Sequence, residues 1–66
     1  MATNYTILDY TVKALVEKLM LKYGSSFDSS LELILNSKLY TRLLKEPHLL
    51  EEGDIYLFNL LEEEIN

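Results

Sequence analysis

The sequence predicts an all-α fold, a compact bundle of three to four helices with long first and last helices and two short helices between them. Apolar residues recur at helical spacing along most of the chain. The only glycine and proline residues, Gly24, Pro47 and Gly53, divide it into helix-sized segments. With 66 residues and no cysteine, residues 1–66 form one domain that depends on dense helix packing or self-association.

The first helix is predicted over residues 4–23. Its main apolar stripe follows i, i+4, i+7 and i+11 spacing: Leu8, Val12, Leu15 and Leu19. Thr3 or Asn4 can cap its start, because a side-chain oxygen there accepts a hydrogen bond from a free backbone N–H. Gly24 lies where helices often end in a left-handed residue.

The second helix begins near Ser26, which can act as the N-cap with Asp28 in the first turn. A competing start is the capping box formed by Ser29 and Glu32, three residues later. The apolar face of this helix consists of Phe27, Leu31, Ile34 and Leu35.

The third helix is short, and Ser37 can cap it. Pro47 prevents it from continuing smoothly, because the residue before a proline avoids helical geometry. Residues 48–52 form a connector, and the sequence leaves open whether it contains a turn of helix. The last helix is predicted from Asp54 to Ile65, and either Gly53 or Asp54 can cap it.

The predicted core takes the main stripe of each helix. It contains Leu8, Val12, Leu15, Leu19, Leu31, Ile34, Leu35, Leu39, Leu43, Phe58 and Leu61.

More apolar surface lies on the first and last helices than one buried face requires. The first helix has a second apolar stripe, and the last helix is apolar almost all round. This surplus predicts a partner interface, and we expect it to be formed by Ile7, Tyr10, Ala14, Leu21, Tyr56, Leu57 and Leu60.

Charge is segregated along the chain. Residues 1–45 hold six basic and four acidic residues, for a net charge of +2, whereas residues 46–66 hold seven acidic residues and no basic one, for −7. Glu62, Glu63 and Glu64 crowd the end of the last helix, where the helix dipole disfavours each anion by about 0.3–1 kcal/mol. We therefore expect other groups to compensate them.

One side of the third helix carries three basic residues, Lys38, Arg42 and Lys45, at i, i+4 and i+7. The favoured interpretation is that they neutralise the acidic last helix. The alternative is that they contact phosphates in a small nucleic-acid-binding regulator, although the overall charge of −5 argues against non-specific binding to nucleic acid.

Catalytic and metal sites are not predicted. His48 is the only histidine, and it lies in the connector without a nucleophile motif nearby. Glu51, Glu52 and Asp54 flank Gly53, but their spacing is not that of a calcium loop, so solvated turn acids are the better interpretation. We expect no cofactor and no enzymatic activity.

The segment from Asn36 to Leu44, then Leu49, and the segment from Gly53 to Ile65 resemble a group of short, uncharacterised bacterial helical proteins. These proteins have a Ser-x-x-Tyr-x-x-Leu segment, a short acidic connector and a closing helix rich in Tyr, Leu and Glu. Some of them resemble companions of toxin genes, which implies an antitoxin-like or regulatory binding role and no specific site residues. Gly53 departs from the pattern, which favours Ser or Thr at this cap.

The leading hypothesis is a small protein-interaction module, homodimeric or bound to another protein. No apolar run reaches the roughly 20 residues of a membrane span, and the start of the sequence lacks a signal-peptide pattern. We therefore expect a cytoplasmic protein that has no membrane or small-molecule partner.

Overall fold

The computed structural model describes the backbone of residues 3–66 and the side chains of residues 7–66. It contains four α-helices and one 3-10 helix. The helices are α1 (Thr3–Tyr23), α2 (Phe27–Leu35), α3 (Lys38–Lys45), the 3-10 helix (Pro47–Glu52) and α4 (Asp54–Ile65). The predicted all-α bundle is confirmed, with a long first helix, a long last helix and two short helices between them.

Backbone hydrogen bonds at the helix ends explain where α1 and α2 stop and start. Gly24 has a φ of 69°, and its N–H donates to the Met20 carbonyl at 3.0 Å. Ser26 is the N-cap of α2, and its Oγ accepts from the Ser29 N–H at 3.1 Å. The capping box at Ser29 is therefore wrong, because α2 already begins at Phe27. Thr3 and Asn4 are both helical, and their side chains lie outside the described residues.

Ser37 joins α2 to α3. Its buried hydroxyl donates to the Ile34 carbonyl at 2.6 Å and accepts from the Tyr40 N–H at 3.0 Å. Because one side chain ends one helix and caps the next, the turn between them needs only Asn36 and Ser37.

The backbone conformation at position 53 explains why the cap is a glycine and not the expected Ser or Thr. Its φ of 93° and ψ of 157° place it in a backbone region that essentially only glycine occupies. A Cβ added there would meet no atom within 4 Å, so the requirement for glycine is conformational and not a matter of space. The Gly53 carbonyl still accepts the first helical hydrogen bond of α4, from the Leu57 N–H at 3.1 Å.

Most of the predicted core is buried, and three deviations stand out. Val12 and Leu31 are only half-buried, although they pack against the core. Leu35 was wrongly placed in the core: it is 44% exposed at the C-terminal end of α2, because no described element covers the open side of the surface that it shares with α1. The core also gains three residues that the predicted set lacks: Val16, Leu49 and Leu57.

The helices enclose this core because each long helix packs against more than one other element. α1 packs against α2, α4 and the 3-10 helix, and α3 packs against α4, α2 and the 3-10 helix. The connector thus contributes to the core through Leu49, which is 7% exposed.

Candidate interaction surfaces

The outer face of α1 consists of Ile7, Tyr10, Ala14 and Leu21. Their exposures are 45% for Ile7, 75% for Tyr10 and 87% for Leu21, and Ala14 is half-buried. With Glu17 added, the spacing along the helix is 3, 4, 3 and 4 residues, which is the heptad pattern of a seam between two helices. The structure therefore places four of the predicted interface residues together on one open face.

The ionic groups beside this face differ in whether the fold already uses them. Lys18 lies 3.8 Å from Asp54 at the start of α4, which ties α1 to α4. Lys13 and Glu17 are exposed, and neither forms an ion pair within the described residues. One positive and one negative group therefore remain free along the edge of the outer face.

The three interface candidates on α4 do not form one open surface. Tyr56 is 47% exposed and Leu60 is half-buried against the core, but Leu57 is fully buried. Including Leu57 in a partner interface was wrong. The physical reason is that α4 contacts α1, α3 and the 3-10 helix, so the bundle itself covers more than one side of this helix.

A second open apolar surface lies between α1 and α2, and the sequence did not indicate it. We call it the α1–α2 groove; its volume is about 340 Å³. Its apolar lining consists of Leu8, Val12, Val16, Phe27, Leu31, Leu35 and Tyr40. Two of these side chains expose about half of their surface to solvent: Phe27 is 52% exposed and Leu35 is 44% exposed. One feature of the sequence could have indicated this groove: α2 carries more large apolar residues than one face of a nine-residue helix can bury.

The basic side chains of α3 do not neutralise the acidic end of α4 in the expected way. Lys38, Arg42 and Lys45 are exposed, and none lies within 4.0 Å of a carboxylate in the part of the chain described here. Lys38 and Arg42 nevertheless line the same cleft as Glu63 and Glu64. This cleft lies between α3 and α4 and has a volume of about 400 Å³. The predicted neutralisation is therefore not made by ion pairs among the described residues, although the basic and the acidic side chains border the same cleft.

Glu62 is compensated instead by the end of α1. Lys22 Nζ forms an ion pair with Glu62 Oε2, and Tyr23 Oη donates to the same oxygen at 2.6 Å. Lys22 Nζ also lies 5.8 Å from the ring centres of Tyr23 and Phe58. The hydrogen bonds from Lys22 and then Tyr23 hold the pKa of Glu62 below its usual value, and the hydrogen bond to Glu62 raises the pKa of both donors.

Glu64 is compensated by the backbone of α3. Its Oε2 accepts from the Lys38 N–H at 2.6 Å, and its Oε1 accepts from the Leu39 N–H at 3.1 Å. With the Tyr40 N–H bonded to Ser37 Oγ, the first three N–H groups of α3 all have side-chain acceptors. The acidic end of α4 thus stabilises the positive end of the α3 dipole.

The candidate chemical groups lie at the surface. The imidazole of His48 is 69% exposed, and its Nε2 is 3.9 Å from Glu46 Oε1. Asp54 pairs with Lys18, while Glu51 and Glu52 are exposed. Among the residues that the structure describes, no cluster of three His, Cys, Asp or Glu side chains could hold a metal ion.

None of the helices in the described part of the chain combines the length and apolarity needed to cross a bilayer. Comparisons with protein-family models, with curated proteins and with solved structures found no match. The interpretation of these surfaces therefore depends on their own geometry and charge.

Proposed function

We propose that this protein is a small interaction module that forms a homodimer through the outer face of α1. The observation that carries the proposal is the exposure of Tyr10 and Leu21, which lie on a heptad-spaced seam that no other described element covers. A regulatory or antitoxin-like binding role, without enzymatic activity, is part of this proposal.

An antiparallel arrangement of the two α1 helices fits the charges of this face. In a parallel pair, Glu17 would lie against Glu17 of the second copy, and like charges in one layer are unfavourable. In an antiparallel pair, Tyr10 faces Leu21, and Ala14 faces the methylenes of Glu17. Lys13 of each copy then lies beside Glu17 of the other copy. The two-fold axis relates the two pairs.

The strength of such a dimer follows from the side chains that it buries. Ile7 and Leu21, which are 45% and 87% exposed, together contribute roughly 4–8 kcal/mol from both copies if they become fully buried, at about 1.5–3 kcal/mol for each fully exposed side chain. The loss of translational and rotational freedom costs roughly 4–15 kcal/mol. Because the two terms are comparable, the net affinity is a small difference between them, and it should depend strongly on each apolar contact.

Sedimentation equilibrium tests this proposal. Wild type is expected to dimerise as its concentration is raised from micromolar to millimolar, and Leu21→Glu to weaken the dimer at least tenfold. Leu44→Glu is the matched control, because it makes the same change at a leucine that is 54% exposed on α3, which packs against α2, α4 and the 3-10 helix; its dimerisation should equal that of wild type. A monomeric wild type at these concentrations, or a Leu21→Glu variant as dimeric as wild type, would overturn the proposal.

Charge reversal tests the antiparallel orientation. Lys13→Glu and Glu17→Lys should each weaken the dimer, because each creates two like-charge contacts across the interface. The double variant should recover much of the lost affinity, since it restores opposite charges in the same positions. Additive losses in the double variant would contradict the antiparallel arrangement.

A second candidate function is nucleic-acid binding through Lys38, Arg42 and Lys45. It is favoured by the lack of ion pairs at these side chains, and opposed by Glu63 and Glu64 along the same cleft. It predicts binding to mixed DNA or RNA at low salt that weakens as salt rises and on Arg42→Glu. Absence of any mobility shift at low salt would eliminate it.

A further inference from the structure

The α1–α2 groove is an open apolar surface that the proposed dimer leaves uncovered. Val12 and Val16 belong to the same side of α1 as the core, whereas Tyr10 and Leu21 point to the other side of that helix. On the α2 side, Phe27 and Leu35 each expose close to half of their surface. An apolar patch shaped as a channel between two helices is a surface that a third helix can fill.

The two edges of the groove carry different charges. The α2 edge has Asp28 and Glu32, one helical turn apart, and both are exposed. Neither carboxylate forms an ion pair within the described residues. The α1 edge has Asp9 and Lys13, whose opposite charges sum to zero. A partner with positive charge along the α2 edge would therefore be favoured over one with negative charge.

We propose that the α1–α2 groove binds an amphipathic helix of a partner protein, with apolar anchors at i, i+3 or i+4, and i+7, and with Lys or Arg beside Asp28 and Glu32. The anchors would contact Phe27, Leu31 and Leu35, and the basic residues would face the free carboxylates of α2. The complementary charges select the partner and speed its association, while burial of the apolar side chains supplies most of the affinity.

Fluorescence anisotropy with two labelled synthetic helices tests this site. Each peptide has about 15 residues, long enough for partial helix formation, with Leu at the anchor positions and either Lys or Glu on the flanks. The Lys-flanked peptide is expected to bind wild type at least tenfold more tightly than the Glu-flanked peptide. Equal binding of the two peptides, or no binding of either, would overturn the proposal.

Paired variants locate the binding site. Leu35→Ala should weaken binding of the Lys-flanked peptide several-fold, whereas Leu33→Ala should not, because Leu33 is 37% exposed on the opposite side of α2. Glu32→Lys should reduce or reverse the preference for the Lys-flanked peptide. The control Glu51→Lys makes the same charge change on the 3-10 helix and should leave the preference intact.

Two further measurements separate the groove from other surfaces. Leu21→Glu should bind the Lys-flanked peptide as wild type does, because the outer face of α1 is a different surface. Loss of peptide binding in that variant would assign the peptide to the outer face and overturn the groove proposal. Displacement of a small uncharged apolar dye such as Nile red by the peptide would support it, whereas dye bound at the groove together with the peptide would contradict it.

Discussion

The two faces of α1 both carry large apolar residues, but one face is buried and the other is exposed. On the inner face, Leu15, Val16 and Leu19 are 0%, 1% and 2% exposed, while on the outer face Tyr10 and Leu21 are 75% and 87% exposed. Both stripes have helical periodicity, so the difference does not come from α1 itself. It comes from what the rest of a 66-residue chain can cover, since α2, α4 and the 3-10 helix all pack on one side.

The same contrast appears among the charges. Glu62 and Glu64 are fully used by the fold, one by Lys22 and Tyr23 and the other by the N–H groups of α3. Lys13 and Glu17 remain free on the outer side of α1. The carboxylates at the end of α4 therefore form specific contacts within the bundle. The charged groups on the outer side of α1 remain available to a second molecule.

The largest expected effect comes from truncating the inner face. Leu15→Ala should lower the free energy of unfolding by about 2–5 kcal/mol, because it opens a cavity at a fully buried site. Leu21→Ala, the same substitution on the outer face, should change the stability of the monomer by less than about 0.5 kcal/mol. Urea denaturation at a concentration below the dimer dissociation constant measures both, and equal losses would show that the two faces are not different in the monomer.

A smaller effect is expected at the α3 cap. Glu64→Ala should cost about 0.5–2 kcal/mol, because two backbone N–H groups lose their acceptor and the α3 dipole loses its anion. Glu63→Ala is the matched control on the neighbouring residue, which makes no such contact, and it should be nearly neutral. The same denaturation experiment compares them; a neutral Glu64→Ala would show that the cap does not stabilise the fold.

The smallest effect concerns acid sensitivity. Since the pKa of Glu62 is lowered in the folded state, its contribution is present above the unfolded-state pKa and is lost as the pH falls through the folded-state value. Glu62→Gln should therefore reduce the stability difference between about pH 7 and about pH 3, whereas Glu63→Gln should not. Lys22 and Tyr23 have raised pKa values, so their contribution is present at neutral pH and is lost only as strongly alkaline pH passes their folded-state pKa values.

Local sequence signals predicted the helices well. Gly24, Ser26, Ser37 and Pro47 each act over a few residues, so the end of α1, the start of α2 and both boundaries of α3 follow from short-range chemistry. The acidic excess at the end of α4 also correctly indicated that compensation was needed. Its source was not predictable, because it comes from Lys22, Tyr23 and the start of α3, all distant in the sequence.

Assignments that depend on tertiary packing were less predictable. α4 is apolar almost all round, so periodicity alone could not decide that Leu57 is buried while Ile55 is 69% exposed. Leu35 has the spacing of a core residue, yet no element covers it, and the α1–α2 groove is the result. These outcomes depend on how many helices surround a given face, which is a property of the whole bundle.

The most direct test of a homodimer through the outer face of α1 is an isotope-filtered NOE experiment on an equal mixture of labelled and unlabelled wild type. Tyr10 and Leu21 are 11 residues apart on one helix, a separation of about 16 Å, so the two side chains cannot give a short contact within one copy. The account predicts NOEs between the Tyr10 ring of one copy and the Leu21 methyl groups of the other. A dimer whose intermolecular NOEs arise elsewhere, or a sample without intermolecular NOEs at millimolar concentration, would contradict it.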